Sequence, residues 1–160
     1  MLKMTNIREP KCLSSRGVQL SSEVYKTRNA NMETNDHVFV ECSSAKLVSA
    51  HLWHWVEWWP VNDRTVPAFW ESFDRDNGNV VHRHVKRLIA AVFLWIVWKQ
   101  RNERVFGRAT KNEKAMSEEI QFVAFDWIKH RTKFGKFLSW ENWCCNPLIA
   151  VSLCIALAPR

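Results

Sequence analysis

Residues 80–105 read VVHRHVKRLIAAVFLWIVWKQRNERV, and this stretch decides the fold class. The pattern predicts one long helix whose centre, Leu88–Trp98, is apolar around its whole circumference. Such a helix has to be buried on every side, or by a partner. Gly107 supplies the stop, because glycine takes the left-handed conformation that ends helices. The apolar run is eleven residues long, well short of the roughly 20 that cross a bilayer. The other apolar run, Leu148–Ala158, is equally short, so neither is read as a membrane span.

Working outward, a second long helix is predicted from about Asn112 to Arg131. Met116, Ile120, Val123, Trp127 and Ile128 form its packed stripe, and Phe122 and Phe125 widen it. Its acidic start (Glu118, Glu119) and basic end (Lys129, His130, Arg131) suit the helix dipole. Upstream, Ser43 and Ser44 are placed to cap a helix from Ala45 to about Trp59, stopped by Pro60. Leu47, Leu52, Trp55 and Trp59 would share its buried face, with Leu52, Trp55, Val56 and Trp59 as the tightest part. A short helix is expected over Pro67–Phe73, with proline in its first turn, and a turn over Asp74–Gly78. His37–Val40 reads as a turn or a single strand, and Ser139–Cys144 as one turn of helix. Residues 1–36 are polar and Ser-rich and read as weakly ordered. The tail, residues 146–160, is either a last packed helix or an unrelated extension. Four glycines and five prolines in 160 residues argue against an all-β fold.

Charge divides the chain. Residues 1–80 carry 9 Lys and Arg against 10 Asp and Glu, whereas residues 81–160 carry 14 against 6. Two basic clusters result. Lys99, Arg101, Arg104 and Arg108 lie at the end of the first long helix, the three arginines at spacings that share one face. Lys129, Arg131, Lys133 and Lys136, with His130, follow the second, with Phe134 and Phe137 interleaved. Clustered cations attract phosphate, and interleaved aromatics permit base stacking. A solvated helix face is the competing reading. The five cysteines, at 12, 42, 144, 145 and 154, form no disulfide pattern, which fits a reducing compartment, cytoplasm or nucleus. Met1–Pro10 lacks the apolar core of a signal peptide.

Catalytic arrangements are absent from the pattern. No Ser-His-Asp or Cys-His set stands out, and no two glycines lie close enough for a phosphate loop or dinucleotide fingerprint. Asp74 and Asp76 approach a metal-binding pair but sit in a polar turn. His37 and Cys42 form His-x4-Cys, half of a CCHC-type zinc site. Structural zinc needs four ligands of thiolate and imidazole. The upstream Cys-x2-Cys pair is replaced by Tyr25 and Arg28, at the correct gap. His51 and His54 could complete a His3Cys set, but the simpler reading places them beside the tryptophan stripe. Cys12 is a weaker substitute, and Cys144-Cys145 reads as packing.

The order Arg16-Gly17-Val18, Glu33-Thr34-x2-His37-Val38-Phe39-x2-Cys42-x2-Ala45-Lys46 resembles the reverse-transcriptase zinc-binding domain of plant LINE-type (non-LTR) retroelements. The resemblance continues through residues 94–106, LWIVWKQRNERVF, then through Glu119-Ile120, Trp127–Arg131 and Leu138–Cys144. It covers about residues 5–145 and leaves the tail outside. It implies a mainly α fold: a small CCHC-like zinc-knuckle remnant followed by several helices, the two longest at about 80–105 and 112–131. By region the chain then divides into a weakly ordered segment over 1–36, a degenerate zinc-binding domain over 12–75, a basic helical region over 79–145 and an apolar tail outside the resemblance over 146–160. Zinc is the family's cofactor, and its ligands carry over at His37 and Cys42 only. The implied function is a non-catalytic, nucleic-acid-binding accessory module of a retroelement reverse transcriptase, in decayed form. Its partners would be RNA or DNA and the remainder of the polyprotein, with no membrane. The aspartates of the polymerase palm, including an adjacent Asp-Asp pair, are missing from this sequence. Two alternatives stand beside it: a helical protein-interaction domain with a tryptophan-rich docking surface, or a chain with no present function.

Overall fold

The structure, a computed structural model, describes residues 34–59, 64–76 and 78–158. Those residues are mainly helical, and there is no strand among them. After one π-helical turn at His37–Glu41 come α1 (Ser43–Trp55), α2 (Val66–Asp74), α3 (Val80–Val105) and α4 (Glu113–Arg131). A 3-10 turn at Gly135–Phe137 leads to α5 (Trp140–Cys145) and α6 (Pro147–Leu157).

Side chains that stop the backbone from continuing elsewhere set most of the boundaries. Thr65 accepts the N–H of Ala68 at the head of α2, Asn79 that of Val81 at the head of α3, and Asn112 that of Ala115 at the head of α4. Each satisfies an orphan donor of the first turn. Ser139 and Asn146 cap α5 and α6 in the same way. Gly107, at φ +66°, lets the chain leave α3. The start of α1 differs from expectation. Ser43 lies inside the helix, the capping position belongs to Cys42, and no side chain caps it. The Ser44 hydroxyl is used across the fold instead, donating to Glu113 Oε1 at 2.5 Å.

One hydrophobic cluster runs from Val38 to Cys154 and takes in every helix. The α3 helix is its spine, with Ile89, Ala90, Phe93, Leu94 and Ile96 at most 2% exposed. Ile120, Ala124 and Ile128 of α4 and Val48, Leu52 and Val56 from α1 and its end close around it. Rings from three helices fill one end: Trp53 lies 5.7 Å from Phe69 and 6.1 Å from Phe93. Trp143 is fully buried on the other side. Its indole N–H donates to the Gln121 carbonyl, and the Trp55 indole donates to the carbonyls of Trp143 and Cys144. Both tryptophans thus bury area without leaving a polar hydrogen unpaired.

Two expectations about faces and one about a helix end change. Leu47 and Trp59 are exposed, and the buried face of α1 runs through Ala45, Val48 and Leu52. The helix ends at Trp55 because Glu57, at φ +51°, turns the chain. That turn brings Trp58 onto Phe73, at 4.6 Å between ring centroids. Trp95 is 52% exposed, so the centre of α3 is open along one flank, where Trp95 stacks on Trp98. The tail packs as α6, with Pro147, Ala150, Val151 and Cys154 inward. No helix among the described residues is long and apolar enough to cross a membrane.

Candidate nucleic-acid interface

His37 opens the π-helical turn, half exposed, with Nδ1 3.7 Å from Glu41 Oε2. Cys42 follows that turn, its N–H donating to the His37 carbonyl at 2.7 Å. The two residues line one shallow hollow together with Ser44, Gln100, Arg101 and Arg104. The zinc ion that the resemblance implies needs four ligands in a closed tetrahedron. Among the described residues no three His, Cys, Asp or Glu side chains gather for a metal. His51 and His54 are exposed on α1 and do not join His37 and Cys42. The described residues therefore do not fit the metal by themselves. Tyr25, Arg28 and Cys12 lie outside the described residues.

Asp74 and Asp76 are paired with cations of α3. Asp74 accepts from Arg87, and Asp76 Oδ2 lies 2.6 Å from Lys86 Nζ. Burial pushes the Asp76 carboxyl up. Hydrogen bonds from Lys86 and the Gly78 N–H, with the charges of Lys86 and Arg83, outweigh it and hold the group below its ordinary range. These carboxylates hold the turn before α3 to the helix.

One member of the first basic cluster, Lys99, joins α3 to α4. Lys99 reaches Glu119 at 3.0 Å, and Lys111 reaches the same carboxylate at 3.0 Å. Burial raises the Glu119 carboxyl, and its two lysine hydrogen bonds bring it down below its usual range. The Glu119 hydrogen bond in turn raises the Lys99 ammonium against a smaller cost of burial. Gln100, 3% exposed, accepts the Lys111 N–H at 2.8 Å and donates to Glu103 at 2.6 Å. Arg101 donates to the Asn102 side chain at 3.2 Å. Arg104 helps lower the Glu113 carboxyl, after the larger effect of the Ser44 hydroxyl. Arg108 is exposed in the turn beyond Gly107.

The second cluster is arranged differently. Lys129, Arg131, Lys133 and Lys136 are all exposed, and among the described residues none of them is in an ion pair. Three of them lie over aromatic rings: Lys129 Nζ 5.0 Å from the Phe125 centroid, Arg131 4.6 Å from Trp127, and Lys136 Nζ 4.9 Å from Phe137. Such cation–π contacts favour a desolvated ring face beside a charge. Lys129 also donates to the Leu138 carbonyl at 3.3 Å, which ties α4 to the turn before α5. Phe134 is half-buried against the core, whereas Phe137 is 37% exposed.

The sequence reading put Trp127 in the packed stripe of α4 with Phe122 widening it, and gave Trp140 no role; all three are exposed. Phe122 is 58% exposed, Trp127 41% and Trp140 38%. The buried face of α4 runs through Met116, Ile120, Ala124, Phe125 and Ile128, so Phe122 and Trp127 fall outside it. Periodicity offered a signal, because Phe122 precedes Ala124 by two residues and so cannot share its side of the helix. In comparisons with known proteins, no family model, curated protein or solved structure matches this chain.

Proposed function

We propose that this chain is a non-catalytic, RNA-contacting accessory module of the reverse-transcriptase zinc-binding type, in a decayed form with impaired zinc binding. The RNA assignment follows the resemblance stated from the sequence. The observation that carries the contact surface is the group of four cations at the end of α4 and beyond, none spent on a carboxylate among the described residues. Phosphate contact needs cations that are not already neutralised. The first cluster gives up part of that capacity, because Glu119 holds Lys99. RNA titration against salt tests the proposal. The double variant Lys133→Gln, Lys136→Gln should weaken binding on every sequence and reduce the salt slope by about 2, about 1 per phosphate contact. A slope near zero in the unaltered chain overturns the reading. Metal analysis of the unaltered chain beside a Tyr25→Cys, Arg28→Cys double variant tests the zinc statement. Stoichiometric zinc in the unaltered chain would refute it.

A second reading rests on α6. Ile149, Leu153 and Leu157 are 51–67% exposed at spacings of four residues, and together they form an apolar stripe. Such a stripe suits the alternative of a protein-docking module. The exposed tryptophans 59, 95, 127 and 140 are spread over the segment after α1, the middle of α3, α4 and α5. Size measurement in solution for the unaltered chain and Leu153→Glu separates the readings: a dimer lost in the variant favours docking.

A further inference from the structure

The surface between the last turns of α4 and the head of α5 has a composition that the charge argument alone does not use. Phe122 and Trp140 are both exposed, with ring centroids 6.0 Å apart. Trp140 is held from behind by Phe125, at 5.1 Å and 79°, and Phe125 is itself buried. Trp140 thus has a fixed base, and Phe122 and Trp140 keep surface open to solvent. Lys129 lies one turn beyond Phe125 and two turns beyond Phe122 on α4, over the Phe125 ring. Its contact with the Leu138 carbonyl brings the turn that carries Lys136 alongside. The arrangement is two accessible rings with cations at one end. Of the acidic residues near these rings in sequence, Glu119 is held by Lys99 and Lys111, Glu118 lies 3.9 Å from Lys114, and Glu141 follows Trp140 on α5. Asp126 Oδ1 lies 3.0 Å from His130 Nδ1, one turn further along α4.

An apolar partner would leave Lys129 and Lys136 facing it unpaired, which costs binding energy. A duplex would satisfy the lysines but leave both rings unused, because its bases are stacked inside. A single strand uses both, since every base has a face that stacks on an aromatic ring while its phosphates meet the cations.

We propose that this face takes unpaired bases of single-stranded RNA, with Phe122 and Trp140 as the stacking rings and Lys129 and Lys136 on the adjacent phosphates. The proposal rests on the RNA-contacting reading above and adds the strand state and the residues.

The test compares a 12-nucleotide oligo(A) with a 12-base-pair RNA duplex, at matched salt, by fluorescence anisotropy of labelled nucleic acid. The full chain should hold the single strand at least ten-fold more tightly. Phe122→Ala should weaken single-strand binding by roughly 5- to 150-fold, the range of one lost base stack, and leave duplex binding within two-fold. Because Phe122 is exposed, that variant keeps its fold, and circular dichroism checks this. Trp140→Phe, which keeps an aromatic ring, should retain most of the affinity. Lys129→Gln should weaken both ligands and lower the salt slope by about 1. Equal affinity for duplex and single strand overturns this proposal and leaves the RNA-contacting reading standing. An unchanged affinity in Phe122→Ala overturns it also. Failure of the unaltered chain to bind either RNA overturns both. A preference for oligo(dA) over oligo(A) overturns the assignment to RNA.

Discussion

Replacing Asp76 with alanine tests how the turn between α2 and α3 is held. Lys86 is 6% exposed, and its ammonium lies 2.6 Å from Asp76 and 5.1 Å from the centroid of Trp58. Removing the carboxylate leaves a buried ammonium with only a ring face for company. Losing one partner of a buried ion pair costs about 3–5 kcal/mol. At roughly 2–4 °C per kcal/mol for a domain of this size, the melting temperature should fall by about 6–20 °C. Lys86→Met should cost less, because Asp76 keeps the Gly78 N–H and the nearby Arg83 charge. The double variant should recover much of the loss, since replacing both members of a buried pair is often near neutral. The pair also sets an acid limit. The folded-state Asp76 pKa lies below its ordinary value, so its contribution is complete above the unfolded-state pKa of about 3.9. That contribution disappears as pH falls through the lower folded value. Urea denaturation followed by circular dichroism at pH 7 and in steps below pH 4 measures both effects. A loss under about 1 kcal/mol in Asp76→Ala at pH 7, or a double variant as unstable as the alanine variant alone, would refute the argument.

Two further outcomes follow from close packing. Gly135→Ala should destabilise the chain by about 2–3 kcal/mol, because a Cβ there would stand 2.3 Å from the Lys129 carbonyl oxygen and 2.6 Å from that of Ile128. Thermal melts measure it, and a loss below about 0.5 kcal/mol would show that the turn after α4 yields freely. Gln100→Ala should cost about 0.5–1.5 kcal/mol, the net worth of the hydrogen bond it accepts from the Lys111 N–H. Hydrogen exchange at Lys111 should rise with it, and unchanged protection there would contradict the assignment.

The helices were legible where the sequence carried its own punctuation. The 80–105 reading matches α3 residue for residue, because Asn79 caps it and Gly107 ends it. The 112–131 reading matches α4 from its cap, Asn112, to its last residue. The reading of α1 failed at both ends for physical reasons. Two adjacent serines looked like a cap, but a hydroxyl can bond to any acceptor within reach, and Ser44 meets Glu113, 69 positions away. Pro60 looked like the stop, but Trp58 gains more by folding back onto Phe73 and Lys86 than by prolonging the helix. Neither contact is local, so no window along the chain contains it.

The two basic clusters were indistinguishable by composition, and the structure separates them by what answers their charge. Lys99 and Gln100 lie in the last two turns of α3, ahead of the connection to α4. Glu119 sits one turn past Ala115, which the Asn112 cap fixes, and so faces both Lys99 and Lys111. A carboxylate there neutralises two cations and fastens the connection. Beyond α4 the only acidic residue before the tail is Glu141, on the exposed side of α5. Among the described residues no opposing helix supplies a carboxylate to Lys129, Arg131, Lys133 or Lys136. Phe122 and Trp140 pack on each other and Trp140 on Phe125, yet both keep exposed surface, where full burial of a large side chain is worth roughly 1.5–3 kcal/mol. Unanswered charge and unburied aromatic surface coincide at this one end of α4, and an RNA strand is a ligand whose chemistry uses both.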